Sequence, residues 1–488
     1  MKGEICRKRQ IGNSVLDKYS TTELRALPTA AQLRAKAEEG MSAAVRERLA
    51  MLFDEGTFVE VGVFTKRGFS DFFATDKSSE LEGVICGYGA VDGKLTYAFA
   101  EDGARMGGAI DERHAKKITD LDDMALNNGA PVVGIFDSDG ADIFAGTASL
   151  AAYGRIMKAV AKASGLIPQI AYVAGKCIGT AAAIAAMFDF CVQENDAQFY
   201  VSSPALTGVK DGQEKILTYK GDKSQCIGFI RRLVSFVPEN SAVGADITEC
   251  SDDLNRMLGD VDFGGDAATL IATVADNNVY YEISAEEGAP ASLAFATVGG
   301  VKCGLVASSF KNHEGRICAD TAKKITKFVS FCDCFAIPLV TLVDSCGLAA
   351  VKENEAGFAD ALADLAFAYA SSENAKVTVI CGHAIGAAFA LLGSKALGAD
   401  VVYTTDDAEI GALSAESSVA FAWDKYITLE KTRDELIEEW KTSVSSPVAA
   451  ASSGEVDDII GITELRARIC SALLMLSGKG KFHKVLPL

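Results

Sequence analysis

Apolar residues recur along the chain in two alternating patterns. HAKKITDLDDMALNNG, residues 114–129, spaces its apolar positions three and four apart, which predicts an amphipathic helix. PVVGIFDS, residues 131–138, is a short continuous run of β-branched and large apolar side chains, the pattern of a strand buried on both faces. A further helical stretch leads to a second such run, QIAYVAG at 169–175, and then to an Ala-rich helical segment. The same succession returns as TAKKITKFVSFCDCFA (321–336), PLVTLVDS (338–345) and KVTVICG (376–382). Strands alternating with helices predict an α/β fold in which parallel strands feed turns and helix starts.

The recurrence is a duplication. Ala115-Lys116-Lys117-Ile118-Thr119 reappears as Ala322-Lys323-Lys324-Ile325-Thr326, an offset of 207. The same offset carries Pro131 onto Pro338, Asp137-Ser138 onto Asp344-Ser345 and Gly140 onto Gly347, with ten identities in the 26 positions from 115 to 140. Without a gap it then carries Gly175 onto Gly382, Ile178 onto Ile385 and Gly179 onto Gly386. Two homologous halves follow, with a boundary between Phe236 and Ala291. The predicted organisation is a helical extension at 1–42, a first domain at 43–240, an acidic, turn-rich linker at 241–265, and a second domain with a helical tail at 266–488.

Composition narrows the chemistry. The 488 residues suit two or more domains, and 47 Lys+Arg against 66 Asp+Glu give a net charge of −19. That charge argues against nucleic acid as a partner. A membrane span needs roughly 20 consecutive apolar residues, and the most apolar stretch, Cys177 to Met187, is about half that. MKGEICRKRQ carries charges with no apolar stretch behind it, so a secretory signal is not expected. The thirteen cysteines lack metal spacing, and the closest pair is Cys332 and Cys334. They read as reduced core thiols of a cytoplasmic protein. With only His114, His313, His383 and His483, a His-rich metal centre is not expected, and the chemistry must run without a conventional triad.

The chemistry points to the twice-occurring strand–turn–helix, GKCIGTAAA from Gly175 and GHAIGAAFA from Gly382. Small residues after a buried strand let a ligand approach the backbone. Two successive free N–H groups at a helix start can aim at an oxygen that develops negative charge. The expected donors are the amides of Gly179 and Thr180 in one half and of Gly386 and Ala387 in the other. A packing role for these glycines is the competing reading, and the doubling of the turn, each behind an Asp-Ser-x-Gly, favours function.

Several blocks in order carry a resemblance: RERLAMLFDEGTFVEVG, GVICGYGAVDGK, Gly107-Gly108 running into HAKKI, SGLIPQI and the first glycine turn, then FVSFCDCFAIPLVTLVD, KVTVICGHAIGAAFALLGSKALGADVVY and DDAEIGALSAE. Across residues 43–460 the chain resembles the carboxyltransferase component of biotin-dependent acyl-CoA carboxylases and decarboxylases. It is particularly similar to the short methylmalonyl-CoA and glutaconyl-CoA decarboxylase type. The resemblance implies two crotonase-like (ββα spiral) domains in tandem. It implies an acyl-CoA on the first domain of one protomer and biotin on the second domain of another. A carboxyl group would pass between the biotin ureido nitrogen and the acyl α carbon or its vinylogous position, through a thioester enolate and a ureido oxyanion. By position, Gly107, Gly108, Gly140, Ala141 and Gly175 would meet the acyl-CoA. Gly347, Gly382, His383 and Ala390 would meet biotin. No metal is implied. No biotinylation motif occurs in the chain, so biotin would ride on a separate carrier protein, with a biotin carboxylase or membrane decarboxylase subunit as further partner. A closed homo-oligomer is expected, built as a hexamer from dimers.

Departures from the family pattern are local. GADIFAG puts Asp142 where the family has Arg and Ala145 where it has Glu. The span from Phe199 to Lys223 is shorter than usual. The turn after the second Asp is Ser345-Cys346-Gly347, and the basic-aromatic lead into the second glycine turn is His383-Ala384-Ile385. Ala390 replaces a polar residue. Two other functions compete: a biotin-independent crotonase-type CoA-thioester enzyme, and a noncatalytic scaffold subunit of a mixed oligomer. Among other residues, Lys116-Lys117 and Lys323-Lys324 read as solvated helix faces, and Asp137 and Asp344 as Asx-type turn caps. Arg46 and Arg48 suit either the phosphate end of CoA or a helix surface. His383 suits either biotin or the helix start, and Trp423 and Trp440 suit packing.

Overall fold

The computed structural model describes residues 29, 32, 34, 35, 41–66, 81–208, 216–256, 258, 266–283, 289–428 and 431–479. Nearly all of the expected extension at 1–42, His483, and parts of 241–265 lie outside the described residues.

In the first half, α1 (Ala43–Leu52) precedes β1 (Val59–Val61) and the hairpin of β2 (Val84–Val91) and β3 (Lys94–Glu101). Then come α2 (Glu112–Asn128), β4 (Val132–Ser138), α3 (Thr147–Ala163), β5 (Gln169–Ile178), α4 (Thr180–Met187), β6 (Phe190–Glu194), β7 (Gln198–Tyr200) and β8 (Tyr219–Gly221). The sheet runs β1-β2-β3-β4-β5-β6-β8, with β7 pairing the end of β5. From β3 onward it is parallel. The second half repeats this with β9 (Tyr280–Ile283), β10 (Ala291–Val298), β11 (Val301–Ser308), α5 (Ala319–Cys334), β12 (Leu339–Ser345), α6 (Phe358–Ser371), β13 (Lys376–Ile385), α7 (Ala387–Leu391), β14 (Val401–Thr405), β15 (Glu409–Gly411), β16 (Asp458–Ile460) and α8 (Leu465–Leu476). Its sheet runs β16-β14-β13-β12-β11-β10-β9, with β15 on β13.

The bounds of β2, β3, β4 and β5 recur at an offset of 207 as β10, β11, β12 and β13. Beyond the glycine turns the offset grows: Phe190 and Val401, the first residues of β6 and β14, stand 211 apart. The duplication is thus strictest on the strands that lead into the two turns.

Helix α2 forms because Asp111 caps it, accepting from Arg113 N and His114 N at 2.8 Å, and Gly129 ends it in a left-handed conformation. Its inner face buries Ala115, Ile118, Leu121 and Ala125. Lys116 is solvated and pairs with Asp120 at 2.6 Å. Lys117 is a correction to the solvated-face reading. It lies on the buried side, and its ammonium donates to Val84 O at 2.6 Å. An aromatic junction joins the halves: Phe190 meets Phe331 at 4.6 Å and Phe236 meets Phe295 at 5.3 Å. Truncating the fully buried Phe295 to Ala would cost about 3–5 kcal/mol. The twelve described cysteines are free thiols, Cys332 buried and Cys334 exposed. Trp423 packs edge-on against Trp440 at 4.7 Å, as expected. Among the described residues no helix is long and apolar enough to cross a membrane.

Candidate functional site

Each parallel strand β5 and β13 ends in a glycine that turns the chain into a helix. Gly179 has φ 63° and ψ −126°, and Gly386 has φ 58° and ψ −128°. An L side chain would be strained there, so glycine is required. A glycine N-cap also has no side chain to satisfy the first helical amides, and none does. The free donors differ from those expected by one residue. Gly179 N donates to Tyr200 O at 3.0 Å, and Gly386 N to Gly411 O at 2.8 Å. Both amides still belong to the sheet, because β7 and β15 extend the ladder up to the glycine. The amides left without a protein acceptor among the described residues include those of Thr180 and Ala181 in α4, and of Ala387 and Ala388 in α7. Thr180 is exposed, while Ala181 and Ala388 are buried, so each pair runs from the surface inward.

Beside each glycine turn lies the Asp-Ser turn. Ser138 pairs with Cys177, and Ser345 with Ala384. Each serine caps its own turn. Ser138 Oγ donates to Gly108 O at 2.7 Å and accepts from Gly140 N at 3.1 Å; Ser345 Oγ donates to Gly315 O at 2.6 Å and accepts from Gly347 N at 3.3 Å. The aspartates are therefore not the Asx caps that the sequence suggested. Their carboxylates reach across to the neighbouring strand: Asp137 accepts from Lys176 N at 3.1 Å, and Asp344 from His383 N at 2.8 Å.

That reach explains two predicted glycines: a Cβ on Gly175 would collide with the Asp137 carboxylate, and one on Gly382 with that of Asp344. Two more are held by other atoms, since a Cβ on Gly107 would collide with the Asp139 carboxylate and one on Gly108 with the Asp137 carbonyl. Protein atoms, rather than an open cleft, occupy the room these glycines leave.

Gly140 and Ala141 sit differently. Ile110 N donates to Gly140 O at 2.9 Å and Asp142 N to Ile110 O at 3.0 Å, so the Ala141 amide points the other way and has no acceptor among the described residues. The Leu348 amide is freed in the same manner by Ile317. Gly347 is buried, and a Cβ on it would lie 3.3 Å from Ile385 O, which brings this loop against the second glycine turn. Ala390 is exposed on α7.

His383 is half-buried. Its Nδ1 lies 2.8 Å from Asp344 Oδ1, and its ring stacks on Phe310 at 4.6 Å. The hydrogen bond to Asp344 raises its pKa above the ordinary imidazole value against a smaller opposing effect of burial. Cys346, in the adjacent turn, is pushed up to about 11 by burial and is not a ready thiolate. Of the two arginines with open readings, Arg48 is internal: it binds Glu194 at 2.9 Å and Ala174 O at 2.8 Å. Arg46 is exposed and donates to Met41 O at 3.2 Å. Asp142 caps its own turn by accepting from Phe144 N at 2.9 Å. The sequence reading missed Ala181, Ala388 and Phe310. Phe310 could have been found, because it occupies the place of Gly103 at the 207 offset, one residue type exchanged for a very different one.

The carboxyl transferase domain family matches residues 36–485. The chain is 35% identical over 479 residues to the methylmalonyl-CoA decarboxylase alpha subunit of Propionigenium modestum, covering 91% of this chain and 93% of that one. It is 32% identical over 461 residues to the propionyl-CoA carboxylase beta chain of Cereibacter sphaeroides, covering 89% and 90%. The crystal structure of the transcarboxylase 12S hexamer, with methylmalonyl-coenzyme A and methylmalonic acid bound, superposes with a TM-score of 0.85 at 29% identity over 94% of this chain and 96% of that one. With its tandem crotonase-like α/β domains, the chain belongs to the carboxyl transferase family, whose members here are components of acyl-CoA carboxylases and decarboxylases.

Proposed function

We propose that this chain transfers a carboxyl group between an acyl-CoA bound on the domain at 43–240 and biotin bound on the domain at 266–488, the two joined through 241–265. The observation that carries this is the pair of glycine-capped helix starts, each presenting two consecutive unpaired amides. In the first half, Thr180 and Ala181, together with the Ala141 amide, would hold the thioester oxygen as charge builds on it. In the second, Ala387 and Ala388 would hold the biotin carbonyl, with His383 and Gly347 at its rim. The alanines fit that group because their own side chains are methyls, which shield the amides little. Biotin supplies the ureido nitrogen that bears the carboxyl. Each fixed donor acts only as charge develops, and removing one such donor typically costs about 3–4 kcal/mol of barrier.

Methylmalonyl-CoA is the acyl-CoA best supported, since methylmalonyl-CoA decarboxylase and transcarboxylase relatives match nearly end to end. The assembly we propose is the hexamer of the transcarboxylase neighbour. A separate biotin carrier and a biotin carboxylase or decarboxylating subunit would complete the cycle. The free thiols fit a cytoplasmic setting. The test is mass spectrometry of the purified protein with malonyl-, methylmalonyl- and glutaconyl-CoA, with and without biotin or a biotinylated carrier. Carboxyl loss only when biotin is present supports the reading. Turnover without biotin replaces it with a crotonase-type enzyme, and CoA-ester binding without turnover replaces it with a scaffold subunit.

A further inference from the structure

The two Asp-Ser turns are anchored from below by different chemistry. In the second half, Asp344 N donates to Ser308 Oγ at 3.0 Å, a neutral hydroxyl. In the first half, Asp137 N donates to Glu101 Oε2 at 3.1 Å. Glu101 is buried, and its Oε1 lies 3.5 Å from His114 Nε2. His114 Nδ1 lies 3.4 Å from Glu82 Oε1, which also accepts from Gly83 N at 2.9 Å. The imidazole is wholly inaccessible. At the 207 offset, Glu82, Glu101 and His114 become Ala289, Ser308 and Thr321, so the second half has none of the three charges.

Such a buried cluster is a poor device for stability, because taking three charges from water costs more than neutral packing would. The second half shows that a hydroxyl suffices to hold the aspartate amide. What the charged version adds is a tie among three elements: the approach to β2 through Glu82, the end of β3 through Glu101, and the first turn of α2 through His114. We infer that His114 is a positioning residue for the acyl-CoA half: as an imidazolium it fixes Glu101, and through Glu101 the segment from Asp137 to Ala141 that carries the free amide. This rests on the reading that the first half takes the acyl-CoA.

The surroundings agree. Burial works against the cation, but Glu101 and Glu82 outweigh it and hold the His114 pKa up at about 9. Near the cluster also lie Asp111 at the cap of α2, Asp102 beside Glu101, Arg105, whose guanidinium donates to Glu82 O at 3.2 Å, Tyr153 from α3 and Cys177 from β5. The phenol and thiol are both driven toward their neutral forms by burial and by Glu101. His114 is raised above its unfolded value, so its contribution is complete below about pH 6.5 and is lost as pH rises through about 9.

The test puts the second half's solution into the first: Glu82→Ala, Glu101→Ser and His114→Thr together, which strands no buried charge. Glu101→Gln, which keeps an acceptor for Asp137 N, is the conservative control. Affinity for methylmalonyl-CoA is measured by calorimetry between about pH 7 and about pH 10, alongside the KM for biotin and the melting temperature. The wild type should weaken about tenfold as His114 loses its proton, a misplacement effect of modest size. The triple variant should be weaker at neutral pH by about tenfold to hundredfold, flat with pH, and unchanged in its KM for biotin. Glu101→Gln should fall between the two. A triple variant that keeps wild-type affinity and pH dependence overturns the inference, and so does one that only lowers the melting temperature. If the wild type binds no CoA ester at all, the acyl-CoA reading fails first and takes the positioning role with it.

Discussion

The same turn is built twice, and its two rims have diverged while its frame has not. The frame is Asp, Ser and the two glycines: Ser138 and Ser345 make the same pair of bonds, and Asp137 and Asp344 fill the same space over Gly175 and Gly382. The rim positions 103, 139 and 176 hold Gly, Asp and Lys, and their counterparts hold Phe310, Cys346 and His383. In the first half the Lys176 ammonium reaches Asp139 at 2.6 Å in a solvated pair. In the second, Asp344 accepts from Phe310 N and from both His383 N and Nδ1, under a stacked ring. The difference teaches which constraints the backbone imposes and which the ligand side leaves open.

Each half is also closed by an arginine from outside the duplicated span, and these give the largest expected effects. Arg466 from α8 is fully buried on Asp276 at 2.5 Å and Asp252 at 3.3 Å. Arg466→Met would leave the buried Asp276 carboxylate without its cation, while Asp252 keeps Arg256 at 2.9 Å, and should cost about 3–5 kcal/mol in denaturant unfolding. Arg48→Met should cost less, about 1.5–3 kcal/mol, because Tyr172 still donates to Glu194. It should leave the KM for the acyl-CoA unchanged, since Arg48 faces the core. The opposite ranking would mean that burial does not decide the value of these clamps.

Next in size are the amides themselves. Proline is tolerated at the first helical position, where it removes one N–H and little else. Thr180→Pro and Ala387→Pro should each lower turnover about hundredfold to thousandfold without unfolding the protein. Steady-state kinetics with both substrates varied would separate them: the first should act on the acyl-CoA side, the second on the biotin side. If either variant keeps turnover within about tenfold of wild type, the amide it removes is not an oxyanion donor.

Much of this was legible in the sequence because it is local. The glycine at each strand end, the helix that follows it and the 207 offset all follow from residue type and spacing. What escaped was set by partners far along the chain. Gly179 N is taken by Tyr200 and Gly386 N by Gly411, and nothing near either glycine announces a short strand some twenty residues later. Asp137 looked like a turn cap because Ser and Gly stand beside it, whereas its acceptor role lies 39 residues away at Lys176. Lys117 read as a solvated cation, and Arg48 as a group for the phosphate end of CoA or a helix surface, because charge predicts exposure; the backbone carbonyls of Val84 and Ala174 that accept from them carry no sequence signal.

The contrast between rims sharpens further with pH. His383 faces Asp344 from β12 and Glu409 from β15, while Lys441 on the helix Arg433–Ser443 opposes them. Its pKa is raised in the folded protein, so the pairing contributes fully below about pH 6.5 and fades as pH climbs through the raised value. Turnover at subsaturating biotin should therefore decline on the alkaline side. His383→Gln should flatten that limb and lower the neutral-pH rate about tenfold, a small instance of lost proton donation. An unchanged profile in the variant would place the alkaline limb elsewhere and leave His383 a packing residue.

The smallest effect belongs to the equivalent position in the first half, and there a near-null result is informative. Lys176 is about half exposed, as is Asp139, and a pair in that setting is worth about 0–1 kcal/mol. Lys176→Ala keeps the backbone amide that Asp137 needs, because that bond comes from the main chain. Stability should change by no more than about 0.5 kcal/mol, and the pH profile should match wild type. A loss of acyl-CoA affinity that salt also weakens would instead mean that the Lys176 ammonium leaves Asp139 to meet the ligand's phosphates or carboxylate. In that case the two rims would both be functional, one by a mobile cation and one by a held imidazole, and the divergence at this pair of positions would mark which substrate each half receives.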